Sequence, residues 1–98
     1  WTIPIQLVIS SDMTKLGLNA NLGTVDEASV TAAQWRDIMV ANGTIDPSSF
    51  YLNGTNHQLY LHRVIDNRNV SPALLADQIG KFMDGLINTN ATWSPVVK

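Results

Sequence analysis

Hydrophobic and polar positions alternate at the start of the chain. In TIPIQLVIS (residues 2–10) every second position, from Ile3 to Ile9, is isoleucine or leucine. KLGLNANL (residues 15–22) alternates in the same way, with leucine and alanine on one face. A period of two residues is typical of strands, and Ser11-Asp12 between the segments is a turn signal. We therefore predict an antiparallel hairpin over residues 2–22.

A helical pattern follows in TAAQWRDIMVANG (residues 31–43). Thr31 and Gln34 have the spacing of a capping box, in which each side chain bonds to the backbone of the other residue. One apolar stripe is predicted to face the core; it contains Trp35, Ile38, Met39 and Ala32. Asn42-Gly43 is typical of a helix end, so we predict that the helix ends there.

The next segment predicts a second hairpin. Phe50-Tyr51-Leu52 is a short strand, residues 53–56 (NGTN) form a turn, and residues 57–65 (HQLYLHRVI) form a longer strand. Its two predicted faces are Leu59, Leu61, Arg63 and Ile65, and Tyr60, His62 and Val64. Apolar residues on both faces are typical of a strand that is covered on both sides. We expect one side to be covered by helices, and the other by a segment preceding Trp1 or by a second subunit.

The last predicted helix begins at Ser71-Pro72, a good cap followed by a residue that suits the first helical position. It continues to about Asn88. Its predicted core face contains Leu75, Ile79, Phe82, Met83 and Leu86. We expect Gly80 and Gly85 to permit close approach to the sheet or to a partner, and Trp93 to fold back over the core.

These elements predict one α+β domain over residues 1–98. Its antiparallel sheet of four to five strands packs with two helices in the order β-β-α-β-β-α. Because the chain opens on a strand at Trp1, we expect an N-terminal portion before it.

Composition narrows the classes of function. Charged residues make up 14% of the chain and apolar residues 45%, against a typical charged fraction of about 25%. This indicates apolar surface that a partner or a second copy covers. The net charge of −2 without a basic run predicts no nucleic-acid partner, and no apolar run reaches the length of a membrane span. The absence of cysteine excludes thiol chemistry and fits a cytoplasmic protein.

The candidate chemistry is sparse. His57 and His62 are five residues apart on the predicted strand, so their side chains point to opposite faces and do not share a metal. No serine lies in a nucleophile motif. We therefore predict no enzyme, catalytic residue, metal or cofactor. A half-apolar sheet face remains as a candidate surface for a partner or a dimer. It contains Tyr51, Tyr60, His62 and Val64, joined by Gln6 and Val8.

The segment NGTIDPSSFYLNGTNHQLYLHRVIDNRNVSPALLADQIGKFMDGL (residues 42–86) resembles the core of the type III secretion chaperone-like domains and the related YbjN-type domains. The resemblance implies a dimer, a helix before the first strand and a further strand between Leu22 and Thr31. It also implies binding of extended effector segments on apolar patches, as in the chaperones, or a regulatory role, as described for YbjN-type members. It implies no catalytic residue.

Two hypotheses follow. The first is a dimeric, non-enzymatic protein-binding module that acts as a chaperone or adaptor, with an extended partner segment on apolar patches or at a sheet edge. The alternative is a regulatory domain that senses a small ligand in an apolar pocket between sheet and helices.

Overall fold

The computed structural model of the chain describes residues 3–97, so Thr2 in the first predicted strand lies outside the described residues. The elements along the chain are β1 (Ile5–Ile9), β2 (Lys15–Thr24), α1 (Ala32–Ile45), β3 (Ser49–Asn53), β4 (Gln58–Asp66), α2 (Pro72–Asn88) and α3 (Asn90–Trp93).

The four strands form one antiparallel sheet in the order β1-β2-β4-β3. The long strands β2 and β4 lie in the centre, and the short strands β1 and β3 form the edges. The predicted α+β class is confirmed. Between Leu22 and Thr31 the described residues form no separate strand: β2 continues to Thr24, and Val25 makes an isolated bridge with Val97.

The core lies on one face of the sheet. Alternate residues of β2 and β4 face the helices, and those at the centre, such as Leu18 and Leu61, are almost completely buried. Phe82 of α2 is fully buried against this cluster. Trp93 is buried too, and its indole Nε1 donates to the carbonyl of Leu86 at 3.1 Å. The prediction that Trp93 folds back over the core is therefore confirmed.

Helix α1 begins as predicted but ends later. The Thr31–Gln34 capping box is present in both directions. The helix continues through Asn42-Gly43 to Ile45, so the predicted end was wrong. The Asn42 side chain does not end the helix; its Oδ1 accepts from the backbone N–H of Phe50 at 2.6 Å and fixes the start of β3.

The predicted core faces of the helices need corrections. In α1 the buried positions are Ile38 and Ala41, whereas Met39 is 73% exposed. In α2 the cap is confirmed, since the backbone N–H of Leu74 donates to the hydroxyl of Ser71 at 3.1 Å. Met83, however, is 45% exposed. In both helices the stripe that touches the sheet is narrower than predicted.

The two helix glycines have different surroundings. A Cβ on Gly85 would lie 3.7 Å from Ile45, so at this glycine α2 contacts α1, and not the sheet or a partner as predicted. A Cβ on Gly80 would meet no described atom within 4 Å. Only Gly85 therefore lies where α1 and α2 meet.

One end of the sheet is held by side-chain hydrogen bonds around two aspartates. The hydroxyls of Ser10 and Thr14 donate to Asp12 in the β1–β2 turn, and these bonds, with the backbone N–H of Thr14, lower the pKa of Asp12 to about 2. Arg68 donates to Asp66 at the end of β4, at 2.8 Å from Nη2 to Oδ2. Hydrogen bonds from Arg68 lower the pKa of Asp66 to about 2.

These two carboxylates predict a pH dependence of stability. Their folded pKa values lie below the ordinary value of 3.8, so the ionised form stabilises the fold. That contribution is fully present above about pH 4 and is lost as the pH falls towards about 2. We expect the double variant Asp12→Asn/Asp66→Asn to lose less stability over this range than the parent chain. Urea unfolding at several pH values measures the slope, and equal slopes would contradict the expectation.

Candidate functional site

The four residues predicted as a contact surface lie together on the sheet face that none of the described helices covers, which we call the open face. Tyr51 of β3 pairs directly with Tyr60 of β4. Their rings stack with centroids 5.0 Å apart, and the ring of His62 meets Tyr51 edge-on at 5.9 Å. Val64 continues the row and is 43% exposed. The strand register thus builds one aromatic and aliphatic patch from two neighbouring strands.

Hydrogen bonds surround the aromatic part of the open face. The hydroxyl of Tyr51 donates to Asn19 Oδ1 at 3.3 Å, and the hydroxyl of Tyr60 accepts from Asn56 Nδ2 at 3.0 Å. Asn21 donates to Gln58 beside them. The two tyrosine rings are therefore fixed in position, which lowers the entropy that a partner would have to remove on binding.

His62 occupies a special position on the open face. Its Nδ1 is buried and has no hydrogen-bond partner among residues 3–97. The ring fits because Gly17 on the neighbouring strand has no side chain; a Cβ there would lie 3.3 Å from His62 Cε1. Beside it a shallow groove of about 240 Å³ runs between Val8 and Val64. A buried polar atom without a partner is costly, and the hydrogen-bonding capacity of this nitrogen is unused within the described residues.

A second apolar surface lies at the other face of the edge strand β1. Leu7 and Ile9 pair with Leu18 and Leu16, so they point to the helix side of the sheet. They are nevertheless 48% and 56% exposed, because no described helix reaches that far across the sheet. Leu7 and Ile9 therefore occupy core-facing positions of the sheet but are exposed to solvent.

An apolar cleft of about 340 Å³ lies on the same face, between the start of the chain and α2. Together, Leu7, Ile9 and this cleft form a surface that we call the β1 margin. The cleft is lined by Ile3, Ile5, Met83, Leu86 and Ile87. This surface was not predicted from the sequence, since the apolar face of β1 was used only to predict a strand. The signal that could have found it is the number of helices: two helices are few for four strands.

The two histidines are not brought together. His57 was predicted as the first residue of the strand, but it lies in the turn before β4, with a φ of 57°. Its Nδ1 lies 2.6 Å from Glu27 Oε2. Within the described part of the chain, no three side chains of the metal-binding types form a cluster. No described helix is long and apolar enough to cross a membrane.

Comparisons with known proteins agree with this architecture. No family model and no curated protein matches the sequence. Among solved structures, a chain in the HopA1–SchA chaperone–effector complex matches with a TM-score of 0.65 and 11% identity, over 89% of this chain and 66% of that one. A chain in the ExsC–ExsE complex matches with a TM-score of 0.68 and 13% identity, over 92% of this chain and 68% of that one.

The chain therefore has the type III secretion chaperone-like fold, as the resemblance of residues 42–86 predicted. At these identities the likeness concerns the fold alone. The chain spans about two thirds of each matched chain. The likeness to YbjN-type domains stays a prediction.

The contact between Gly17 and His62 leads to a prediction for the open face. In Gly17→Ala the new Cβ, 3.3 Å from Cε1, forces the imidazole ring to move by a few tenths of an ångström. We expect changed NMR shifts at His62 and Tyr51, and a change in the free energy of unfolding that stays below about 1 kcal/mol.

Gly54→Ala is the matched control, because a Cβ on Gly54 would meet no described atom within 4 Å. It should leave the resonances of His62 and Tyr51 unchanged. Equal shifts in both variants would contradict the packing of His62 over Gly17.

Proposed function

We propose that this chain is a non-enzymatic, chaperone-like protein-binding module, which holds an extended segment of a partner protein at the β1 margin. The observation that carries the proposal is an edge strand with uncovered apolar residues on the helix-side face of the sheet. Leu7 and Ile9 are about half exposed there, although the residues opposite them on β2 are buried.

An extended segment fits this surface for a geometric reason. Because β1 pairs only with β2, its outer edge can accept another strand through backbone hydrogen bonds. Side chains of an added strand alternate between the two faces. Every second side chain would then lie on the helix side, near Leu7, Ile9 and the cleft beside Met83 and Ile87.

Burial of apolar side chains at the β1 margin would contribute favourable free energy to binding. Burying one large aliphatic side chain contributes roughly 1.5–3 kcal/mol. Leu7, Ile9, Met83 and Ile87 are each 45–56% exposed, so a partner that covers all four would gain several kcal/mol. That gain has to offset the loss of translational freedom and chain flexibility. One of the matched structures is described as a chaperone–effector complex, which supports a protein ligand for this fold.

The proposal includes a second contact, between two copies of the chain, at the open face. Tyr51, Tyr60, His62 and Val64 form a rigid patch of aromatic and aliphatic side chains. Such patches are enriched where protein surfaces meet. A cytoplasmic location stays a prediction from the sequence.

Peptide binding tests the β1 margin. A peptide array of extended, apolar segments identifies a binding sequence, and fluorescence polarisation measures its affinity for each variant. We expect Leu7→Glu and Ile87→Glu each to weaken binding at least about tenfold, since a loss of 1.4 kcal/mol is a factor of ten.

Met39→Glu is the matched control, because Met39 is 73% exposed on a different helix, α1. Its affinity should stay within about twofold of the parent chain, a change of less than 0.5 kcal/mol. An array without any bound peptide, or an equal loss in the control, would contradict the proposal.

Light scattering tests the contact between copies. We expect a dimer at micromolar concentration, and a shift to monomer in Val64→Glu, because a carboxylate in the centre of an apolar contact loses its hydration. The control is Val40→Glu, at a valine of α1 that is 56% exposed. A parent chain that stays monomeric, or a Val64→Glu variant that stays dimeric, would rule out this use of the open face.

A further inference from the structure

A buried arginine lies at the base of a polar cleft on the helix side of the sheet. Arg63 of β4 is only 7% exposed. Its Nε donates to Gln78 Oε1 at 2.8 Å, and its Nη1 donates to the hydroxyl of Ser48 at 3.1 Å. Both acceptors are neutral, and no carboxylate among residues 3–97 lies within ion-pair distance of the guanidinium. The positive charge is buried without a direct counter-ion.

The guanidinium retains unused hydrogen-bond donors. Of its five N–H groups, two are used by Gln78 and Ser48, and no described residue bonds to Nη2. Nη2 is also absent from the buried polar atoms without a partner, of which the described residues have one, on His62. It follows that Nη2 is not fully buried, and Arg63 is one of the residues that line the polar cleft.

The rim of this cleft carries the opposite charge. The cleft has a volume of about 400 Å³ and lies where the end of α1, the following loop and the second half of α2 meet. Asp46 and Asp84 line it and form no ion pair with a described residue. Lys81 also lines it, but its Nζ is 3.2 Å from Asp77. Among the described residues at this cleft, one buried cation, Arg63, and two exposed carboxylates, Asp46 and Asp84, have no ion-pair partner.

From this arrangement we propose that the cleft binds a small zwitterion of the amino-acid class, with its carboxylate on Arg63 and its ammonium group towards Asp46 and Asp84. The planar guanidinium suits a carboxylate, since it can donate two parallel hydrogen bonds. A simple anion meets repulsion from the two aspartates, whereas a zwitterion satisfies both ends. This site is separate from the protein-binding surfaces proposed above and does not depend on them.

An NMR titration tests the proposal, with glycine and L-alanine as zwitterions and acetate as an anion without an ammonium group. We expect saturable shifts of Arg63 Nε–H and of the Gly85 amide with both amino acids, at a dissociation constant on the order of 1 mM, and a clearly weaker response to acetate. No shifts with either amino acid would overturn the proposal. Equal binding of acetate would also overturn it, because the ammonium group would then play no part.

Two sets of variants test separately the role of Arg63 and the role of the two aspartates. Arg63→Met keeps the length and apolar stem of the side chain, and we expect about 10- to 100-fold weaker glycine binding, since hydrogen bonds to a charged group are lost. The control is Arg68→Met, at an exposed arginine that pairs with Asp66, and its glycine affinity should be unchanged. Unchanged glycine binding in Arg63→Met would refute the role of Arg63.

The rim variant keeps the test decisive even where Arg63→Met fails to fold. Asp46 and Asp84 are both exposed, so Asp46→Asn/Asp84→Asn should leave the fold intact. It is expected to bind glycine at least about tenfold more weakly and acetate more tightly, because repulsion of the anion is removed. If the affinities for glycine and for acetate change in the same direction, the proposal of a zwitterionic ligand is wrong.

Discussion

The pairing of β2 with β4 determines where every other element lies. These two strands place alternate leucines and alanines on one face, and residues such as Leu18 and Leu61 are nearly inaccessible to solvent. The helices pack on that face because its leucines and alanines form a continuous apolar surface. The same register places Gly17, Asn19 and Asn21 opposite Val64, His62 and Tyr60 on the other face. One set of backbone hydrogen bonds thus creates both the core and the open face.

The apolar surface that this sheet produces is larger than the helices can cover. Helix α2 packs over the centre of the sheet and reaches β1 only near Ile5, where Met83, Leu86 and Ile87 line the cleft. The rest of β1 is left with Leu7 and Ile9 exposed, although their strand partners are buried. Large exposed apolar areas are uncommon on isolated soluble proteins and mark contact surfaces. The low charge content of the chain is consistent with the proposed contacts, since a surface that another molecule covers does not need charged residues.

The sequence predicted those parts of the fold that depend on local chemistry. The caps at Thr31 and Ser71 were predicted correctly, because each needs only a hydroxyl and the backbone of the next turn. The two faces of β4 also followed from the period of two.

The predicted end of α1 was wrong because Asn42 bonds to Phe50, eight residues away, and such a contact leaves no local signal. The exposure of Leu7 and Ile9 was not predicted, since the number of helices indicates too little cover for four strands but not how far α2 reaches across the sheet. In the candidate site, Tyr51 and Tyr60 were placed on one face by alternation, but their direct pairing required the strand register.

Arg63 shows best how position and function are linked in this fold. It occupies a core-facing position of β4, where the period of two would place an aliphatic residue, and a buried charge without a counter-ion costs several kcal/mol unless hydrogen bonds compensate. Gln78 and Ser48 supply part of that compensation and hold the guanidinium in one orientation. Replacing a buried charge by an apolar residue is often neutral or stabilising, so stability alone does not account for an arginine here.

The guanidinium of Arg63 is oriented by two neutral acceptors and belongs to the lining of a cleft. These are the properties of a preorganised binding group. The cleft that Arg63 lines is bounded by the end of α1, the loop that follows it and α2, so the ligand proposed above would link these two helices.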